Sequence, residues 1–143
     1  MKYGCTVEQN VEQAVPFFWV KSMEESVRYY VDGLGCKMGN KWVVDGKLRW
    51  CCLQVGSAAL MLQEFDEGRV PSDKVGVGVS ISFQCKDALA IYREVTSRGI
   101  EAKRPFVGNS MWVTMLSDPD GYRIEFQSPT DVAEETEYSE AEG

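Results

Sequence analysis

Two glutamates end two apolar, strand-like stretches: Glu64 in Ala58-Ala59-Leu60-Met61-Leu62-Gln63-Glu64-Phe65 and Glu125 in Tyr122-Arg123-Ile124-Glu125-Phe126. A carboxylate so placed can accept hydrogen bonds from the amine and hydroxyl groups of a ligand. Two carboxylates desolvated in one cavity repel each other, which raises at least one pKa and makes a general acid or base. The structural alternative is that each is bound inside its sheet by a backbone amide or an arginine, with Arg49 and Arg123 as the nearby candidates. Tryptophans precede both glutamates, Trp50 by 14 residues and Trp112 by 13. With Trp19 they can wall a pocket for planar or cationic groups, since a desolvated cation over an indole gains about 2 kcal/mol. Such side chains also serve as ordinary core filling. The chain contains no histidine, so acid–base chemistry lacks its commonest side chain and a transition metal lacks its commonest nitrogen ligand. Cys51 and Cys52 are adjacent, so a strand points them to opposite faces, and no histidine is present to activate either thiol.

The elements that must position these residues read as one unit written twice. Val15-Pro16-Phe17-Phe18-Trp19-Val20 is a strand by composition, and Ser22-Met23-Glu24-Glu25 is a helix-capping signature. Met23, Val27, Tyr30 and Leu34 then recur at helical spacing until Gly33 or Gly35 ends the helix. Strands over 36–44, 48–55 and 58–65 follow, separated by Asp45-Gly46 and Gly56-Ser57 turns. The second copy opens at Val75, with Gly76 and Gly78 weakening its first strand. It continues through a helix capped by Asp87 and striped by Ala88, Ile91, Tyr92 and Val95, and through strands over 103–107, 111–117 and 122–127. Ser117-Asp118-Pro119-Asp120-Gly121 before the last strand has the composition of a type I turn. The expected organisation is an N-terminal arm (1–13), a first βαβββ module (14–66), a linker (67–74), a second βαβββ module (75–129) and an acidic disordered tail (130–143). The fold class is α+β, with curved mixed sheets around a concave cleft and helices on the outside. Strand parity puts Phe17, Trp19, Ser80 and Ser82 on the cleft face.

Charge and composition exclude several function classes. The 22 acidic and 15 basic residues give a net charge of −7, but six of the acids lie beyond Thr130 where no base occurs, so the body is near neutral. No basic stripe interleaves with aromatics, which argues against nucleic acid. No run approaches the roughly 20 apolar residues of a membrane helix, and the first residues lack the apolar segment of a signal peptide. Five cysteines, an odd number without C-x-x-C spacing, read as reduced thiols in a cytoplasmic protein.

Over residues 14–129 the chain resembles the vicinal-oxygen-chelate superfamily of glyoxalases, extradiol dioxygenases and fosfomycin- and bleomycin-resistance proteins. The resemblance rests on Phe18-Trp19-Val20-Lys21-Ser22-Met23-Glu24-Glu25-Ser26-Val27-Arg28-Tyr29-Tyr30 with Leu34-Gly35, on Leu60-Met61-Leu62-Gln63-Glu64, and on Asp118-Pro119-Asp120-Gly121-Tyr122-Arg123-Ile124-Glu125. It implies metal-ligand positions at Val15, Glu64, Ser80 and Glu125, of which only the glutamates are good donors. The expectation is therefore a protein without metal or other cofactor, similar to the bleomycin-resistance branch, binding a cationic or aromatic small molecule as a homodimer. The ligand contacts expected are Phe17, Trp19, Trp50, Leu62, Glu64, Ser80, Ser82, Trp112 and Glu125. The alternative is a glyoxalase-related lyase or isomerase using Glu64 or Glu125 as its catalytic group.

Overall fold

The structure is a computed structural model that describes residues 6–140; Cys5 and the last three residues lie outside them. A short helix α1 (Val7–Asn10) opens the chain, capped by Thr6 and Gln9 and solvent-exposed throughout. The first module is β1 (Phe17–Val20), α2 (Met23–Val27) running into a π-helical turn (Arg28–Gly33), β2 (Lys37–Val44), β3 (Lys47–Val55) and β4 (Ala58–Glu64). The second is β5 (Ser80–Gln84), α3 (Ala88–Ser97), β6 (Phe106–Gly108), β7 (Met111–Ser117) and β8 (Arg123–Pro129). The sheets have matching orders, β1-β4-β3-β2 and β5-β8-β7-β6, each with one parallel pair, β1 with β4 and β5 with β8. The α+β reading with two tandem βαβββ modules is thus the observed architecture.

The helix starts follow from their caps. Ser22 Oγ accepts from the Glu25 amide at 3.2 Å and Asp87 Oδ1 from the Ala90 amide at 3.0 Å, each satisfying one of the first-turn donors that have no partner inside the helix. The second module's first strand begins at Ser80 rather than Val75. Gly76 passes so close to the Gly121-Tyr122 backbone that a Cβ on it would lie 2.2 Å from the Tyr122 nitrogen, a close approach that glycine alone permits.

One core serves both modules. On the helix-bearing side of the first sheet Phe18, Val20, Leu60 and Leu62 are buried, and the cluster continues through Leu116, Tyr122, Ile124 and Phe126 of the second. The turn before β8 joins the two. Tyr122 stacks on Phe18 with ring centroids 4.0 Å apart and donates its hydroxyl to the Trp19 carbonyl. The buried Asp118 accepts from the Tyr30 hydroxyl at 2.7 Å and from the Asp120 and Tyr122 amides, and Asp120 accepts from the Lys21 amide. Burial pushes the Asp118 carboxyl up, against the pull of these donors. The modules therefore meet through their helix-bearing sides, and no hydrogen bond, ion pair or aromatic contact among the described residues links their two helix-free faces.

The expected disordered tail is docked as far as it is described. Glu134 accepts from the Asn109 and Ser110 amides, Glu135 donates to Val107, and Val107 donates to Thr136, so the segment pairs along β6. Tyr138 is buried against Tyr92 and Trp112. The reading from charge missed this because one buried aromatic and one carboxylate over two left-handed turn residues, Asn109 and Ser110, anchor a segment that is otherwise acidic and polar.

Candidate functional site

Each sheet has a face away from its helices, and strand register says what stands on it. In the first sheet Phe17 pairs with Met61, Trp19 with Gln63, and Gln63 with Trp50, which pairs with Trp42. This face is aromatic and open: Trp42 is 55% exposed, Phe17 43% and Trp19 38%. Phe17 stacks on Trp19, and Trp19 leans on Phe65 to form one wall of a cavity of about 430 Å³ with Asp66 and Arg69. In the second sheet Ser80 pairs with Arg123, Ser82 with Glu125 and Gln84 with Gln127. That face is polar. Gln127 donates to Glu125 at 3.3 Å and Gln84 bridges to Gln127 at 3.2 Å.

Three expected contacts stand elsewhere. Glu64 pairs with Val20, on the helix-bearing side. There its Oε2 accepts from the Met23 amide at 2.8 Å, while Oε1 meets Lys47 at 2.8 Å and Arg49 at 3.6 Å. Desolvation works to raise its pKa, but Lys47, the Met23 amide and Arg49 outweigh it and hold the carboxyl below its ordinary value. Leu62 is fully buried beside Phe18. Trp112 pairs with Ser128, whose hydroxyl accepts from the Ala88 amide at the start of α3, so its indole packs on the helix side against Tyr138. The two glutamates stand on opposite kinds of face and do not form the desolvated pair that the repeat suggested.

Counting from the helix caps shows why. Phe17 and Ser82 each stand five residues before a cap, Ser22 and Asp87, and their strand partners are Met61 and Glu125. Met61 is therefore the counterpart of Glu125. Matching glutamate to glutamate slips the repeat by three residues, and an odd slip turns a strand side chain to the opposite face. Trp42, on the open face of β2, was missed: a regular hairpin about the two-residue Asp45-Gly46 turn would set it opposite Arg49, and it is the register shift between Trp42 and Val43 that brings it opposite Trp50.

A family model for the glyoxalase/bleomycin resistance protein/dioxygenase superfamily matches residues 12–126. The chain belongs to that superfamily. No curated protein matches it. Among solved structures, the bleomycin resistance determinant encoded on the transposon Tn5 is similar at 20% identity and a TM-score of 0.67, over 85% of this chain and all of that one. TnmS3, an antibiotic binding protein from Streptomyces sp. CB03234, is 21% identical with a TM-score of 0.62, over 83% and 98% of the two chains. Lactoylglutathione lyase from Agrobacterium tumefaciens matches at 12% identity and 0.62, over 83% and 95%. These likenesses establish the fold.

Metal-dependent members of the superfamily gather ligands from both modules, and the residues present here do not fit such a centre. Val15 is apolar, Glu64 is held on the helix side, and the counterpart of Glu125 is a methionine. Among the described residues no three His, Cys, Asp or Glu side chains come together as a metal site. Burial pushes the Cys36 and Cys51 thiols up to about 11, which leaves these two protonated at neutral pH. Cys52 stands on the aromatic face beside Met61. No helix among the described residues is long and apolar enough to cross a membrane.

Proposed function

We propose that this chain is a metal-free binding protein for an aromatic small molecule, working as a homodimer. The observation that carries the reading is the pair of unlike helix-free faces: Phe17, Trp19, Trp42 and Trp50 open on one sheet, Ser80, Ser82 and Glu125 on the other. A second copy laying its polar face over the aromatic one makes a cleft with stacking surface on one wall and hydrogen-bonding groups on the other, the composition of most small-molecule sites. The bleomycin resistance and antibiotic binding relatives support the reading. Glu125 remains the one expected carboxylate on an open face, so the ligand's amine or hydroxyl groups meet it rather than Glu64.

The test is tryptophan-fluorescence titration of the chelator-treated protein against aromatic amines and aromatic drugs, bleomycin included, with light scattering for the assembly. Saturable quenching, reduced about tenfold by Glu125→Gln as expected for a hydrogen bond to a charged group, is the predicted result. A flat response across the panel, or a strict monomer at high concentration, overturns it.

A further inference from the structure

The polar face of the second sheet carries a cation that the proposed contacts do not use. Arg123 is exposed on β8, in register with Ser80 on one side and Ser117 on the other. It lines a cavity of about 590 Å³ together with Lys103, Ser117 and Gly121. Lys103 is set there by its amide, which donates to the Met115 carbonyl at 3.0 Å, and its ammonium stands 5.9 Å from the Phe106 ring centroid. The Lys74 stem packs over Gly121, adding a third base beside the cavity. Glu101 is the one acid of the lining, yet neither Lys103 nor Arg123 has a carboxylate within ion-pairing distance among the described residues. Glu125 lies two residues farther along the same strand face, about 7 Å away by strand geometry, and makes no ion pair with Arg123.

We propose that this cavity takes an oxyanion, a carboxylate or a phosphate, through Arg123 and Lys103. The guanidinium presents paired donors matched to such a group, and the lysine adds a second charge. If the binding function is as proposed above, on which this step rests, the ligand carries an anionic group at the Arg123 end and a neutral or cationic polar group at Glu125. It is then amphoteric or acidic rather than simply cationic.

The experiment is a ¹⁵N–¹H titration of the full chain at constant ionic strength, with inorganic phosphate in one arm and acetate in the other. Tryptophan quenching by indole-3-acetate and by tryptamine runs in parallel. Saturable shifts at Ser117, Gly121 and Arg123 that weaken about tenfold in Arg123→Gln, and less in Lys103→Gln, are the expected result. The arm that saturates names the oxyanion. Indole-3-acetate loses affinity in Arg123→Gln while tryptamine does not. Shifts that never saturate, or that are unchanged in both variants, overturn the anion site. Tryptamine quenching without anion shifts does the same while leaving the binding function standing, and anion shifts without any indole quenching keep the site and sink that function.

Discussion

The two helix-free faces have the same strand order, the same register and the same distance from their helix caps, yet they carry opposite chemistry. Where the first sheet has Phe17 and Met61 the second has Ser82 and Glu125. The difference shows that one framework can present unlike chemistry in its two copies. The helix-bearing sides are mostly apolar because they share one core, whereas the helix-free faces lie outside that constraint. One presents aromatic rings and the other hydroxyl, amide and carboxylate groups.

The strongest way to break the comparison is to remove what both modules share. Asp118→Ala leaves the buried Tyr30 hydroxyl and the Asp120 and Tyr122 amides without their acceptor, so unfolding in urea should be easier by about 2–4 kcal/mol. Both faces then fail together, as seen by loss of binding along with stability. A smaller effect belongs to the first module alone. Glu64 is held below the ordinary value of 4.5, so its contribution is present above that value and lost as pH falls through its lowered pKa. Glu64→Gln should cost about 1 kcal/mol at pH 7, with the deficit closing as pH falls below 4.5 and through the lowered pKa. Asp118 runs the other way in its protonation: its raised pKa means that the preference of the folded state for the protonated carboxyl is fully present below 3.8 and lost as pH rises through the raised value, while its oxygens still accept from Tyr30 and the two amides. A deficit in Glu64→Gln that is constant with pH would remove the carboxylate from this account. The smallest effect sharpens the contrast between faces. Trp19→Phe should lower the fraction of fluorescence that acrylamide quenches, and Trp112→Phe should not, because Trp112 packs against Tyr138 on the helix side.

The modules, the caps and the faces of Phe17, Trp19, Ser80 and Ser82 were legible because each depends on local residue type and a period of two. Glu64 and Trp112 were not, because aligning a repeat by residue identity ignores parity. The spacing from tryptophan to glutamate gave no warning, because the turns between the strands differ in length: by register Trp50 and Glu64 stand on opposite faces, and so do Trp112 and Glu125. Distance from the helix cap is the better ruler, since the cap fixes where the strand ends. The docking of residues 130–140 depended on Tyr138 finding Tyr92 and Trp112 across the fold, a contact that charge along the chain does not reveal.

The joining turn has a consequence for synthesis. Tyr30 and its acceptor Asp118 are 88 residues apart, which at roughly 5–20 residues per second separates their emergence from the ribosome by roughly 4–18 seconds. For that interval the first module has an unsatisfied Tyr30 hydroxyl and no ring stacked on Phe18, in addition to the aromatic sheet face that stays open in the complete chain. The half that carries the stacking surface is thus the half that waits, exposed to chaperones and to other nascent chains, until the second half arrives to cover its helix-bearing side.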